Sequence, residues 1–504
     1  MTQTNIPELL LDRKACYAAM QAHDVRFDGR FFCGVSSTGI YCRPICRVKL
    51  PKEENCTFFI SAAAAEAAGY RPCLRCRPEL APGMAPIDSA ARLARSAALI
   101  MAEDCWNTHK ISDLAAMLNI TDRHLRRVFL AEFGVSPSRY FKTQKLLLAK
   151  SLLTDTRLAV TDVALAAGFG SIRRFNELFK KYYHLAPSEL RMKAARMGRN
   201  KDGITLFLGY RPPYAWDSLL SFLASRALPG VESVAQDAYR RTVAIPKSGT
   251  IYYGWIVVEN RPKLNALSVT ISAGLLPVLS QVLARIRFLF DLNCSPDKVY
   301  EKLVIMNEIV ANIYVPGIRV PGCFDPFEMS VRAILGQQIT VKAASTLAAR
   351  LATAFGNKLD TPFPELQFTF PQPERFCSLE RPVENYLGPL GITKVRARSI
   401  AALASAVVAK SLTLSSSAGP KDVMEKLLEV PGLGPWTVQY IALRALGWPD
   451  AFPHTDYGVK KVLANRSPQE ILNLSRDWSP WRSYATILLW NFLAQKFADK
   501  KDGS

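Results

Sequence analysis

The stretch Gly39-Ile40-Tyr41-Cys42-Arg43-Pro44-Ile45-Cys46-Arg47, answered later by Arg71-Pro72-Cys73-Leu74-Arg75-Cys76-Arg77-Pro78, decides how the chain is read. Two close cysteine pairs with 26 residues between them can close four thiolates around one Zn2+, because each pair supplies two from a single turn. On spacing alone this is a structural zinc site. The flanks add chemistry. Arg43, Arg47, Arg71, Arg75 and Arg77 crowd the cysteines, and guanidinium forks are the usual means of holding phosphate. A zinc-bound thiolate beside a phosphate ester is a nucleophile aimed at an alkylated backbone.

Those arginines belong to a larger excess. Lys and Arg outnumber Asp and Glu by 64 to 43 in 504 residues, a formal charge of +21. Such a charge asks for a polyanionic partner, and with no basic amphipathic anchor in the chain, nucleic acid is expected and membrane is not. With 49% hydrophobic and 21% charged residues, the chain has room for three or four domains, each with its own core. The other seven cysteines (Cys16, Cys33, Cys56, Cys105, Cys294, Cys323 and Cys377) are scattered without a pairing pattern. Met1–Lys14 lacks the basic and apolar blocks of a secretory signal, and no run approaches the roughly 18 apolar residues of a membrane span. A reducing cytoplasm, which a zinc tetrathiolate requires, is the expected compartment.

The runs TGIYCRPICR (from Thr38) and AAGYRPCLRCRPE (from Ala67) resemble the N-terminal zinc domain of the Ada family of bacterial adaptive-response proteins. The resemblance covers about residues 1–82. It implies that Cys42, Cys46, Cys73 and Cys76 hold one Zn2+ and that Cys42 accepts a methyl group from a DNA methylphosphotriester. Arg43, Arg47, Arg71 and Arg75 are the expected DNA contacts.

Beyond a Pro/Gly break at Glu79–Pro86 the pattern turns helical and repeats itself. Residues Ile111–Tyr140 match Val160–Leu190 at a displacement near 50. In each copy a short apolar helix meets a turn, at Leu118-Asn119 and at Gly168-Phe169. A longer basic helix follows, Thr121–Phe133 and Ser171–Tyr183, with Tyr140–Leu153 as connector. This is helix-turn-helix grammar, although a plain helical bundle would share its apolar positions. Arg123, Arg126 and Arg127 in one copy and Arg173 and Arg174 in the other lie outside those positions. The pair resembles the AraC-type DNA-binding domain over 87–195, which implies promoter DNA as a partner, DNA contacts by Arg123, Arg127, Arg173 and Arg174, and RNA polymerase as a further partner. Two reading helices on one connector suit two major-groove segments about 10 bp apart.

A basic linker, Arg191–Gly203, comes next. An Ada-type chain would continue into a methyltransferase domain with a Pro-Cys-His-Arg nucleophile. That tetrapeptide is absent from this sequence, and no O6-methylguanine repair is expected. Residues 204–310 instead alternate like strands of an antiparallel sheet, with helical patterns at Trp216–Ala227 and Leu276–Phe290. From Asp325 the chain is helical. Two short helices joined by Pro431-Gly432-Leu433-Gly434 make a helix-hairpin-helix, in which Gly432 and Gly434 free backbone N–H groups to grip a DNA phosphate. Twenty residues beyond Trp436 stands Asp456.

The hairpin and Asp456, with FDPFEMSVRAILGQQIT before them and WSPWRSYATILLW after, resemble the AlkA-type 3-methyladenine DNA glycosylases of the helix-hairpin-helix superfamily. The resemblance runs from Leu206 to about Phe497 and implies a sheet domain at 204–310 and a glycosylase domain at 311–500. Asp456 takes the place of the catalytic carboxylate. Phe222, Trp436, Tyr440, Tyr457 and Trp490 fall on the base-pocket positions, and Gln338 on the wedge that fills the gap of a flipped base. Lone residues of these types have blander readings, since Trp and Tyr on helices are usually core and an Asp in a loop is usually a helix cap. The whole set is therefore expected to form a multidomain α+β chain needing Zn2+ but no organic cofactor. Its expected activity is alkylation sensing, transcription activation and alkylbase excision on double-stranded DNA at the bacterial nucleoid. A transcription factor whose C-terminal half only binds DNA is the alternative.

Overall fold

The computed structural model describes residues 13–24, 27–78, 81, 92–103, 111–118, 120–194, 203–415, 420–464 and 466–502. The expected break at Glu79–Pro86, Ala81 apart, lies outside the described residues, as do Asn119 and positions 195–202 of the basic linker. The chain divides into two compact units. One comprises 1–212, 261–284 and 292–294; the other comprises 213–260, 285–291 and 295–504.

The first unit opens with a four-stranded sheet. Strands β1 (Phe32–Val35), β2 (Ile40–Cys42), β3 (Cys56–Phe59) and β4 (Arg71–Pro72) lie in the order β3-β1-β2-β4. The β1–β2 hairpin turns through Gly39 at φ +63°, a conformation that glycine adopts without steric cost. Helix Arg13–Gln21 covers one part of the sheet, with Cys16 and Met20 packed among Phe31, Cys33 and Cys56. Those cysteines are buried apolar filler.

Helices Ile111–Met117 and Asp122–Phe133, then Val160–Ala166 and Ile172–Tyr183, form the two expected helix-turn-helix copies. The reading helices begin one residue after the expected Thr121 and Ser171, because those two residues are the N-caps, accepting from the N–H of His124 and Arg174. The connector is longer than its apolar pattern suggested, Pro137–Asp155, since Pro137 starts a helix well. Leu125, Phe129 and Phe133 of the first copy and Phe175, Phe179 and Tyr183 of the second recur every fourth residue and are all buried, leaving the basic faces outward.

The zinc-bearing sheet and these helices are joined by polar contacts that are themselves buried. Ser61 Oγ donates to the Phe133 carbonyl at 2.7 Å. Glu66, on helix Ala62–Ala67, accepts from Tyr41 (3.0 Å), Thr143 (2.9 Å) and Tyr183 (3.5 Å). One carboxyl thus ties the strand carrying Cys42 to the connector and to the second reading helix. Also in this unit, Gly203–Gly209 pairs antiparallel with Ala266–Ser272.

The second unit holds an antiparallel meander of Glu232–Ala235, Ala238–Lys247 and Thr250–Arg261. Three buried charges and the half-buried Arg332 link it to helix Pro326–Leu335. Arg241 pairs with Glu328 (2.7 Å) and Glu232 (3.4 Å), and Arg332 with Glu232 (2.9 Å) and Glu328 (3.1 Å). Two acids and two bases cancel, which is what makes their burial tolerable.

Burial raises the Glu66 carboxyl to about 7, against the opposing pull of the Thr143, Tyr41 and Tyr183 hydroxyls. A carboxyl whose folded pKa exceeds its unfolded value contributes fully below the unfolded value and loses that contribution as pH rises through the folded one. Glu66→Gln, which cannot ionise, should therefore gain stability relative to the parent chain between pH 5 and pH 8, by up to roughly 3 kcal/mol. The check is the difference in thermal unfolding between the two chains across that range; a constant difference would show that Glu66 does not titrate there.

Candidate functional site

Three local devices gather the four cysteines. Strand β2 ends on Cys42, and its parallel bridge to β4, Ile40 beside Arg71 and Tyr41 beside Pro72, sets Cys42 next to Cys73. A turn closed from the Cys46 N–H to the Arg43 carbonyl (3.1 Å) folds Cys46 back. The four sulfurs lie within 4.8 Å of one another. Contact with the Cys46, Cys73 and Cys76 sulfurs, together with burial, pushes the Cys42 thiol up; four sulfurs this close cannot all be anions unless a dication holds them. The donor set fits Zn2+ in tetrahedral four-thiolate form.

The four sulfurs are not equivalent. Cys76 Sγ accepts from the Arg43 N–H at 3.3 Å.

The arginines expected at the DNA face divide. Arg47 and Arg75 are exposed and Arg71 is half-buried. Arg43 corrects the expectation: it is only 4% exposed. Its guanidinium pairs with Asp28 and donates to the Cys76 carbonyl (3.1 Å). It braces the cluster from within, because a buried carboxylate lies in reach on its inner side. On the reading helices Arg123, Arg127 and Arg174 are exposed, Arg127 touching His124 Nδ1 at 3.1 Å. Arg173 is exposed too, paired with Glu177 at 3.0 Å, as Arg126 is with Asp122 at 2.9 Å.

In the second unit Asp456 caps the helix Tyr457–Val462, its Oδ1 accepting from the N–H of Gly458 (2.8 Å) and Val459 (3.2 Å). The same oxygen accepts from the Trp490 indole at 2.8 Å, and Oδ2 accepts from the Trp436 indole at 2.9 Å. Oδ1 has three donors and is filled. Oδ2 has one and keeps a lone pair for whatever enters.

The rings follow in series. Trp436 stacks on Tyr440 at 5.5 Å, Tyr440 lies 5.9 Å from Trp490, and Trp490 stacks on Phe222 at 6.3 Å. Tyr457 does not join them. It sits on the first turn of the short helix with its ring outward, 69% exposed.

Several residues of this site carry no sequence signal. A Cβ on Gly458 would lie 2.9 Å from Trp490 and 3.1 Å from the Asp456 carboxylate, so nothing larger fits between acid and ring. The Arg226 guanidinium lies 3.7 Å over Phe222, and Arg444 lies 5.0 Å from Phe222 while donating to the Tyr440 hydroxyl at 3.1 Å. Desolvation lowers Arg226 to about 10. Burial would raise Tyr440, but Arg444, Arg226 and Arg332 outweigh it and hold the phenol below its usual value. Only the four-residue spacing of Phe222 to Arg226 and of Tyr440 to Arg444 could have hinted at these pairs.

Helices Pro420–Glu429 and Pro435–Arg444 flank the expected hairpin. Gly432, at φ +84°, has no room for a side chain, since a Cβ would fall 2.1 Å from Ser399 Oγ. Gly434 is the N-cap of the second helix with open space around it, which lets another backbone approach. Gln338 is exposed, with its backbone at φ +55°.

Comparison with known proteins matches four family models along the chain. They are the metal binding domain of Ada at 15–79, a helix-turn-helix domain at 114–193, the AlkA N-terminal domain at 205–325 and the HhH-GPD superfamily of base excision DNA repair proteins at 331–467. A Mycobacterium tuberculosis protein described as a probable bifunctional transcriptional activator/DNA repair enzyme AlkA is 36% identical over 491 residues, covering 96% of this chain and 97% of the relative. DNA-3-methyladenine glycosylase 2 of Escherichia coli is 36% identical over 56% of this chain and 95% of its own length. The bifunctional transcriptional activator/DNA repair enzyme AdaA of Bacillus subtilis is 30% identical over 37% and 86%. End-to-end similarity to the first of these, with the zinc cluster and the Asp456 site both in place, puts the chain in the family of bifunctional transcriptional activator/DNA repair enzymes of the AlkA type.

Proposed function

We propose that the chain senses DNA alkylation through methylphosphotriesters, activates transcription in response, and excises alkylated bases such as 3-methyladenine. Residues 1–82 act as methyl acceptor, 87–195 as promoter reader, and 204–310 with 311–500 as glycosylase. The observation that carries the enzymatic reading is the Asp456 carboxylate, fixed by two indole N–H groups at the edge of a four-ring series. A site that only bound DNA backbone would need neither the acid nor the rings.

An alkylated purine is cationic, gains from stacking on aromatic faces and leaves readily. The C1′–N bond breaks with its electron pair going to the base. Asp456 Oδ2 faces the positive charge that develops on the sugar and orients the water that attacks C1′, taking its proton. Position 436, where a strand-cutting relative would carry an amine nucleophile, holds Trp. The reaction is thus hydrolysis that leaves an abasic site in an intact strand.

In the sensor, Zn2+ when bound keeps all four sulfurs as thiolates at neutral pH. Cys42 attacks the methyl carbon of the triester: the S–C bond forms as the C–O bond breaks, and the phosphodiester leaves as an anion. The cluster's formal charge changes from −2 to −1, which weakens its repulsion of nearby phosphates. Arg123, Arg127, Arg173 and Arg174 engage the promoter, and RNA polymerase is the partner an activator requires. Both kinds of damage lie in chromosomal DNA, so the protein works in the cytoplasm, at the nucleoid. No described helix is long and apolar enough to cross a membrane.

Methylation of Cys42 by methylphosphotriester DNA should tighten promoter binding, and Cys42→Ala should remove the effect; equal affinity before and after verified methylation would refute the switch. Asp456→Asn should lower base release by roughly 10²–10³-fold while leaving binding of alkylated DNA intact. The product strand should break only after alkali, with no adduct trapped by borohydride. A trapped adduct, or undiminished release by the variant, would assign the chemistry to another group.

A further inference from the structure

Gln337 sits one residue before the exposed Gln338, in the loop between helices Pro326–Leu335 and Val341–Phe355. Its side chain is committed elsewhere. Nε2 donates to the Gly432 carbonyl at 2.9 Å and to Thr437 Oγ1 at 3.0 Å, reaching both the hairpin turn and the first turn of the hairpin's second helix. Its own carbonyl accepts from the Arg396 guanidinium. Arg396 belongs to helix Lys394–Val408, whose Ser399 fills the space beside Gly432 that a side chain would need. The hairpin turn is therefore seated against that helix on one side and tethered to the Gln338 loop on the other.

We propose that Gln337 is a positioning residue for base flipping, fixing the distance between the loop that presents Gln338 to the base stack and the hairpin that grips the phosphate. The proposal rests on the glycosylase reading above. Extruding a paired base costs a few kcal/mol of stacking and pairing. That work is done on the DNA only if the pressing loop and the gripping hairpin cannot move apart. A loop free to shift by about 1 Å would spend it on its own displacement. Gln337 spans that gap with two hydrogen bonds, while Asp456 is held by other groups, Trp436, Trp490 and its own helix. Loss of the tether should therefore show in extrusion and not in bond breaking.

The test measures single-turnover base release by the full chain and by Gln337→Met. The substrate is an oligonucleotide duplex with one alkylated adenine, placed either opposite thymine or opposite an abasic-site analogue, where no pairing opposes extrusion. Release opposite thymine should fall by ~10- to 100-fold in the variant, and release opposite the analogue should stay within about twofold of the parent chain. Should Gln337→Met unfold, Gln337→Glu keeps the size and puts a carboxylate oxygen, which cannot donate, where Nε2 met the Gly432 carbonyl. Equal loss on both substrates would mean that Gln337 serves the reacting centre through Thr437, and no loss on either would mean that the tether is idle; each overturns the proposal. A parent chain that releases no base from either duplex would instead sink the glycosylase reading itself.

Discussion

Everything in the second unit that bears on chemistry depends on where the Asp456 carboxylate is held. The side chain is a helix cap, and in the proposed reaction it is also the reacting group, two roles that sequence reading treats as rivals. Its two backbone partners, Gly458 and Val459, set the carboxylate plane, and its two indole partners, Trp436 and Trp490, set which oxygen is left open. Because Trp490 and Trp436 are also rings of the stack, the rings and the acid beside them are positioned by the same bonds. Moving the acid moves the pocket.

In the first unit the comparable constraint is the burial of polar groups between the zinc sheet and the helices. Glu66 and Ser61 are both nearly inaccessible. Such groups make poor glue in energy but strict rules in geometry, since each has only one arrangement that leaves nothing unpaired. The strand that ends on Cys42 consequently has a defined seat against the connector and the second reading helix. A chemical change at one sulfur reaches DNA-reading elements through few intervening atoms.

How much of this was legible in the sequence depends on the range of the signal. The zinc ligands announce themselves because each pair is local, and the hairpin because glycine is demanded where the chain reverses. The reading helices are legible to within a residue of their caps. Arg43 was misread because its partner, Asp28, stands 15 residues away in a stretch with no motif, and only the fold shows that its guanidinium turns inward. Tyr457 was expected among the rings from the family resemblance, but it sits on the first turn of its helix with its ring outward, because adjacent side chains there point in different directions. Gly458 is needed only because Trp490, 32 positions later, lies against it. Gln337 carries no local signal, because its partners lie 95 and 100 positions away.

The reading helices carry one more consequence, and it is thermodynamic. Arg126 and Arg173 each already hold a carboxylate of their own helix, Asp122 and Glu177. An arginine that leaves such a partner for a phosphate exchanges one anion for another. Its binding then sets free a tethered side chain as well as the cations condensed on the DNA, and some of the attraction is cancelled by the stranded carboxylate. Were Arg126 and Arg173 to meet DNA, Asp122 and Glu177 would compete with its phosphates on the two helices and leave discrimination to contacts with the bases.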